Sequence, residues 1–193
     1  MRGRMRDRES YAEPWDVGDP MRAGVVGEVV ESSHAEFEPG DTVTGNLFWA
    51  EYGAVDGDAV TRVDTGTAPV STALHVLGMP GRTAYIGTVD VGEVEPGDTV
   101  VVSAAAGAVG SVAGQIAGIA GARVVGIAGS PEKTDWLTGD LGFDAAIDYR
   151  ATDDLSAAVA DACPRGVDLY FENVGGEVGD AVLGGMKACL ARL

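Results

Sequence analysis

Lysine is nearly missing from this sequence, and cysteine and histidine are scarce. Among 193 residues the basic ones number 13, and only Lys133 and Lys187 are lysines. Against them stand 30 acidic residues, for a net charge of -17. So acidic a surface repels nucleic acid and anionic membranes, which are held by Lys/Arg patches. The two cysteines, Cys163 and Cys189, can build neither a disulfide framework nor a Cys-rich metal site. His34 and His75 are far apart and form no H-x-x-x-H pair, so no metal is expected. No apolar run reaches the roughly 18 residues of a membrane helix. The opening MRGRMRDRESYAEPW is charged and lacks the apolar core of a secretory signal. With neither signal, a cytoplasmic location is expected.

Disorder does not account for the charge, because 46% of the residues are hydrophobic and Val, Ala and Gly recur in periodic segments. An acidic surface suited to high salt does, since screening removes most of its self-repulsion. A halophilic source is therefore expected.

Two compositional regions follow. Residues 21 to 65 alternate Val with small or polar residues in RAGVVGEVVES, DTVTGNL and FWAEYGAV, broken by turns such as Pro39-Gly40-Asp41. They read as short antiparallel strands. Residues 98 to 185 instead alternate apolar strand-like runs with helical segments, ending in a helix near 176 to 188. That pattern predicts a parallel sheet covered on both faces. Between them, residues 71 to 97 read as a crossover helix broken at Pro80-Gly81. EPGDTV occurs twice, at 38 to 43 and 95 to 100, without repetition of its flanks, which indicates two similar strand-entry turns. The expected class is α/β, a doubly wound parallel Rossmann-type sheet, incomplete, with a partial GroES-like β domain. The boundaries are 1–70 for the β domain and 71–193 for the nucleotide-binding domain.

The stretch VVVSAAAGAVGS carries the first chemistry. After a strand and before a helix, a dinucleotide turn reads G-x-G-x-x-G; here it reads Ala105-x-Gly107-x-x-Gly110. The second glycine lets backbone approach a pyrophosphate and the third lets the helix pack on the strand. A helix start adds free N–H groups and a positive dipole end. The alternative is a packing corner without a ligand. The second strand ends in GIAGSPEK. An NAD site places an acid there for the ribose 2′-OH. Gly129 and Ser130 stand there instead, followed by Lys133. A hydroxyl and an ammonium suit a 2′-phosphate and favour NADP, although an exposed lysine beside Glu132 is also an ordinary helix charge. Asn173, in DLYFENVGG, lies at the carboxyl edge of the sheet, where it could bond a cofactor ribose or simply shape a turn.

VLGMPGRTAYIG, VVVSAAAGAVGSVAGQIA, VVGIAGSPEK, LGFDAAIDY and DLYFENVGG occur in this order and spacing. Together they resemble the medium-chain dehydrogenase/reductase superfamily, in its zinc-independent branch of prostaglandin reductases, leukotriene hydroxydehydrogenases and alkenal/one oxidoreductases. The strong motifs cover residues 78 to 176. The resemblance implies NADPH-dependent reduction of the carbon–carbon double bond of α,β-unsaturated aldehydes and ketones. It implies pyrophosphate contacts at Gly107, Ala108, Val109 and Gly110, and a 2′-phosphate contact at Lys133 beside Ser130. It also implies a cofactor contact at Tyr149, a nicotinamide-side contact at Asn173, and Met79 and Thr83 lining the nicotinamide end. No catalytic side chain is assigned, and a homodimer is compatible with it. MRGRMRD resembles a segment that follows the family's first strands, and the family's sheet continues beyond the position of Leu193, so the chain reads as a fragment. The alternatives are a truncated NADP-binding protein without catalysis and an NADPH:quinone oxidoreductase of the same superfamily. A methyltransferase is disfavoured by the Gly129-Ser130…Lys133 tip, where its cofactor's ribose wants an acid.

Overall fold

The computed structural model describes residues 14–187. MRGRMRD, the end of MKACLARL and Cys189 lie outside the described residues. The chain divides into two compact units, Met1–Leu74 and His75–Leu193.

In the first unit β1 (Arg22–Glu28), β2 (Thr42–Phe48) and β3 (Val60–Arg62) form an antiparallel sheet in the order β1-β2-β3. Arg22 pairs in register with Phe48, and its guanidinium lies 4.3 Å from the ring centroid, a cation–π contact across the strands. FWAEYGAV is not the strand that its alternation predicts. The Ala50 N–H folds back onto the Phe48 carbonyl at 3.0 Å, so β2 stops there and Trp49 and Tyr52 are left exposed.

The second unit holds a parallel sheet in the order β6-β5-β4-β7, from β4 (Thr99–Val102), β5 (Arg123–Ala128), β6 (Ala145–Asp148) and β7 (Leu169–Phe171). The helices between and after them are α2 (Gly110–Ile119), α3 (Pro131–Gly139), α4 (Leu155–Ala162) and α5 (Gly176–Leu183). All four residues of β4 are buried, as a strand covered on both faces requires. Alternation then sorts the core. Val100, Val102 and Val124 pack with Ala117 of α2 and Leu137 of α3, while Val101, Val125 and Ile127 pack with Val159 of α4 and Val178 and Val182 of α5. Each such Val, Leu or Ile contributes about 1.5–3 kcal/mol by burial. The small residues of α2 have a packing reason: a Cβ on Gly114 would fall 2.0 Å from the Phe143 ring. The last helix is shorter than the sequence predicts. It ends at Leu183, and Met186 bridges Val167 in parallel.

The repeated EPGDTV is a repeat of turn chemistry. Glu38 and Glu95 each receive a backbone bond from the Asp three residues on, both 3.1 Å, and each donates its own N–H to that Asp's carboxylate at 2.9 Å. Gly40 and Gly97 take the left-handed conformation (φ 97° and 91°) that closes both turns.

Residues 71 to 97 depart from the predicted crossover helix. Val70–Leu74 is a 3-10 turn, and α1 (Met79–Tyr85) has Pro80 in its first turn. Pro80 starts this helix instead of breaking one, because its missing N–H would have had no partner there. A π-helical stretch, Ile86–Val91, follows and lies against β7; a Cβ on Gly87 would fall 2.6 Å from the Phe171 ring. Within it Thr88 is buried, and its hydroxyl has no hydrogen-bond partner among the described residues. Thr88→Val should therefore raise stability, by about 1 kcal/mol, since it removes an unsatisfied buried hydroxyl at constant shape. Urea unfolding of the two proteins checks this; a loss of stability would mean that the hydroxyl has a partner.

Candidate cofactor site

The strand order creates the site. From β4 the chain winds outward through β5 and β6, then returns to place β7 on the other side of β4. Loops leaving β4 and β7 therefore part at their carboxyl ends, and open α/β sheets bind ligands at such a switch point. A cavity of about 250 Å³ opens there. The β4–α2 corner supplies Ala104, Ala106 and Gly107, β5 supplies Ile127 and Ala128, and Gly129 follows at its tip. Lys133, Tyr149 and Arg150 close one end, and Val174 and Val178 the β7 side.

The corner takes the strand–turn–helix shape that the spacing predicts, with one shift. The left-handed residue is Ala104 (φ 46°), not Ala105. Position 105 therefore needs no glycine. Its methyl is fully buried, facing Gly126 of β5, and its N–H donates to the Ile127 carbonyl at 3.0 Å. Gly110 is the position that tolerates no side chain, because a Cβ there would lie 2.5 Å from the Ala104 carbonyl oxygen and 2.9 Å from the Ala105 Cα. That contact seats the start of α2 against the corner. Among the described residues no side chain caps this helix. Ala108 and Val109, just before it, carry no side-chain acceptor for its N-terminal amides, of which the Ser111 N–H turns back to the Gly107 carbonyl at 3.0 Å.

At the tip of β5 no carboxylate stands in the cavity wall. The Glu132 carboxyl is held below its usual range by its own backbone N–H and then by the Ser130 hydroxyl. Lys133 has no ion-pair partner within 4.0 Å among the described residues. Ser130 sits at the N-cap of α3, next to the wall residue Gly129. Tyr149 lies over Gly129, where a Cβ would come within 2.7 Å of its ring. Sequence reasoning missed Arg150. Its Nε donates to the Tyr149 hydroxyl at 3.3 Å, and its guanidinium lies 5.6 Å from the ring centroid. A cation next to the expected tyrosine, in a chain with 13 basic residues against 30 acidic ones, was the available signal.

Asn173 is tied to the end of β4. Its Nδ2 donates to the Ser103 carbonyl at 2.9 Å and its N–H to the Ser103 hydroxyl at 2.8 Å. Its neighbour Val174 reaches the cavity wall. Met79 and Thr83 lie exposed on α1, one turn apart, with the Thr83 hydroxyl 3.3 Å from the Met79 sulfur. They are not in the cavity wall. α1 packs on α2 through Ala84, Val112 and Ala113. Of the predicted residues, Gly107, Lys133 and Tyr149 line the cavity, Gly110 packs on the lining residue Ala104, Ser130 and Asn173 adjoin the lining residues Gly129 and Val174, and Ala108, Val109, Met79 and Thr83 do not line it.

Other chemistry is sparse. Burial, the larger influence, pushes the Cys163 thiol up against the opposing charge of Arg123. Among the described residues no group of three or more His, Cys, Asp or Glu is placed to hold a metal, and no helix is long and apolar enough to cross a membrane.

A family model described as the N-terminal domain of oxidoreductase matches residues 1–63, and one described as zinc-binding dehydrogenase matches residues 108–188. The chain is 48% identical over 183 residues to the NADPH-dependent curcumin reductase of Escherichia coli (strain K12), covering 95% of this chain and 53% of that protein. It is 46% identical over 189 residues to the 2-alkenal reductase (NADP(+)-dependent) of Nicotiana tabacum, covering 97% of this chain and 55% of that protein. The crystal structure of CurA in complex with NADPH from Vibrio vulnificus superposes with a TM-score of 0.91 at 46% identity, over 98% of this chain and 56% of that one. The chain thus spans about half the length of the curated relatives it matches. With two family models in chain order and identity near one half across nearly its whole length, the chain belongs to the zinc-independent branch of the medium-chain dehydrogenase/reductase superfamily.

Proposed function

We propose that this chain binds NADPH and is part of a reductase acting on the carbon–carbon double bond of α,β-unsaturated aldehydes and ketones. The observation that carries the cofactor is the acid-free end of the cavity, where Lys133, Tyr149 and Arg150 converge. An NAD site would place a carboxylate there for the 2′-OH. Two cations and a phenol instead fit the 2′-phosphate of NADP, and the names of the relatives support the same reading.

The chain's own residues then have these roles. The amides of Ala108, Val109 and Gly110 receive the pyrophosphate, with Gly107 admitting close approach. Lys133, Arg150, Tyr149 and Ser130 hold the 2′-phosphate. Asn173 meets the nicotinamide half, toward which Met79 and Thr83 are assigned. When bound, the reduced nicotinamide supplies the hydride for the β carbon of the enone. The protein's part is orientation and exclusion of water. Residues 1–70 are the GroES-like part and 71–193 the NADP-binding part in this reading.

Titration of the chain with NADPH, read by nicotinamide fluorescence, should show saturable binding; its absence would overturn the proposal. Addition of a simple 2-alkenal should then oxidise NADPH. Binding without oxidation would favour an NADP-binding protein that does not turn over.

A further inference from the structure

Ser103 is fully buried at the end of β4, and its hydroxyl lies 3.0 Å from Glu172 Oε1 at the end of β7. The same carboxylate oxygen accepts the N–H groups of Val174 at 2.6 Å and Gly175 at 2.9 Å. One oxygen therefore closes the β7–α5 turn and ties it to the neighbouring strand. The Ser103 hydroxyl has a single proton. Phe171 O, at 3.4 Å, is the longer and uncharged alternative, so the proton goes to Glu172. Its lone pairs then face the Asn173 N–H. The Ser103 carbonyl can only accept, so the Asn173 amide nitrogen must turn inward and its oxygen outward. The free end of Asn173 is thus an acceptor.

The carboxylate is built to stay charged. Burial alone would raise its pKa, but the nearby Tyr170 phenol and the bonds from Gly175, Val174 and Ser103 outweigh this and hold Glu172 at about 2. The buried Tyr170 hydroxyl, which reaches no good hydrogen-bond geometry, is pushed upward by burial and then by this same carboxylate. A Cβ on Gly179 of α5 would fall 2.7 Å from Glu172 Oε2, so the helix leaves room for the carboxylate.

We propose that Glu172 is a positioning residue which, through Ser103 and the turn amides, presents the Asn173 amide oxygen to a hydrogen-bond donor on the nicotinamide half of NADPH. The inference rests on the NADP reading of the cavity. It separates the two halves of the cofactor, because Lys133 and Tyr149 lie at the other end of the cavity and do not touch Glu172. Calorimetric titration with NADPH and with 2′,5′-ADP, which carries only the adenosine 2′-phosphate half, exploits this. Glu172→Ala should weaken NADPH about tenfold, as expected for loss of charge-assisted bonds, and leave 2′,5′-ADP within about twofold. Glu172→Gln keeps an acceptor oxygen in place and should restore NADPH binding to within about threefold of the unaltered chain. Equal weakening of both ligands, or none of either, overturns the proposal. Should Glu172→Ala not fold, Ser103→Ala removes the other partner of the contact and must give the same split. If the unaltered chain binds neither ligand, the NADP reading itself fails. Binding of both by the unaltered chain without the split refutes only the role of Glu172.

Discussion

Lys133→Ala should raise the dissociation constant for NADPH by roughly 10- to 100-fold while leaving that for NADH within about twofold. A hydrogen bond to a charged group contributes about 1.5–3 kcal/mol, and each 1.4 kcal/mol is about tenfold. The lysine has no ion-pair partner within 4.0 Å among the described residues, so its loss leaves no unpaired carboxylate behind. The selectivity follows from the chemistry of the 2′ position, which is a phosphate in one cofactor and a hydroxyl in the other. Arg150→Ala should act in the same direction but less strongly, since Arg150 also holds the Tyr149 hydroxyl, 3.3 Å from its Nε, and its effect mixes charge with position. Both losses should shrink in high salt, because the two side chains are exposed. Fluorescence titrations with the two cofactors at low and high salt make the check. Equal weakening of NADPH and NADH would place Lys133 away from the 2′-phosphate.

Gly110→Val should destabilise the fold by about 3 kcal/mol or more and abolish measurable NADPH binding. Overpacking one well-filled position costs about 1–3 kcal/mol, and here the first added carbon already collides with backbone. A Cβ would stand 2.5 Å from the Ala104 carbonyl, which cannot swing away as the end of a side chain can. Relief requires the start of α2 to move off the corner, and the amides that would receive the pyrophosphate move with it. Gly107→Ala is the control. Its Cβ would meet the same carbonyl at 3.0 Å, which asks for a shift of only a few tenths of an ångström. Urea unfolding and NADPH titration of both variants should rank them in this order. Normal binding by Gly110→Val would mean that α2 is not seated as described.

Much of the site lies in short-range pattern. The strand–turn–helix with Gly107 and Gly110, the absence of an acid after β5, and Lys133 within a turn of that strand's end are neighbours in the chain. Their placement follows from the two periodicities and from turn residues that act locally. The twin EPGDTV turns are legible for the same reason, since the Glu–Asp bonds that close them span three residues. Where local pattern misled, a nearby contact outweighed it. Pro80 opens a helix where a break was expected, and FWAEYGAV loses its strand to a fold-back at Phe48.

The sequence by itself determined that a parallel sheet with a glycine-bearing strand-to-helix corner forms, and that its second strand ends without a carboxylate. Only the tertiary structure decided which distant residues finish the site. Ser103 meets Glu172 and Asn173 across about seventy positions of chain because β7 returns to pair with β4 instead of continuing outward from β6. Tyr149 covers Gly129, and Arg150 joins Lys133, because β6 lies in register beside β5. Pairing order and register are set by how whole faces bury against one another, a property that no single segment carries.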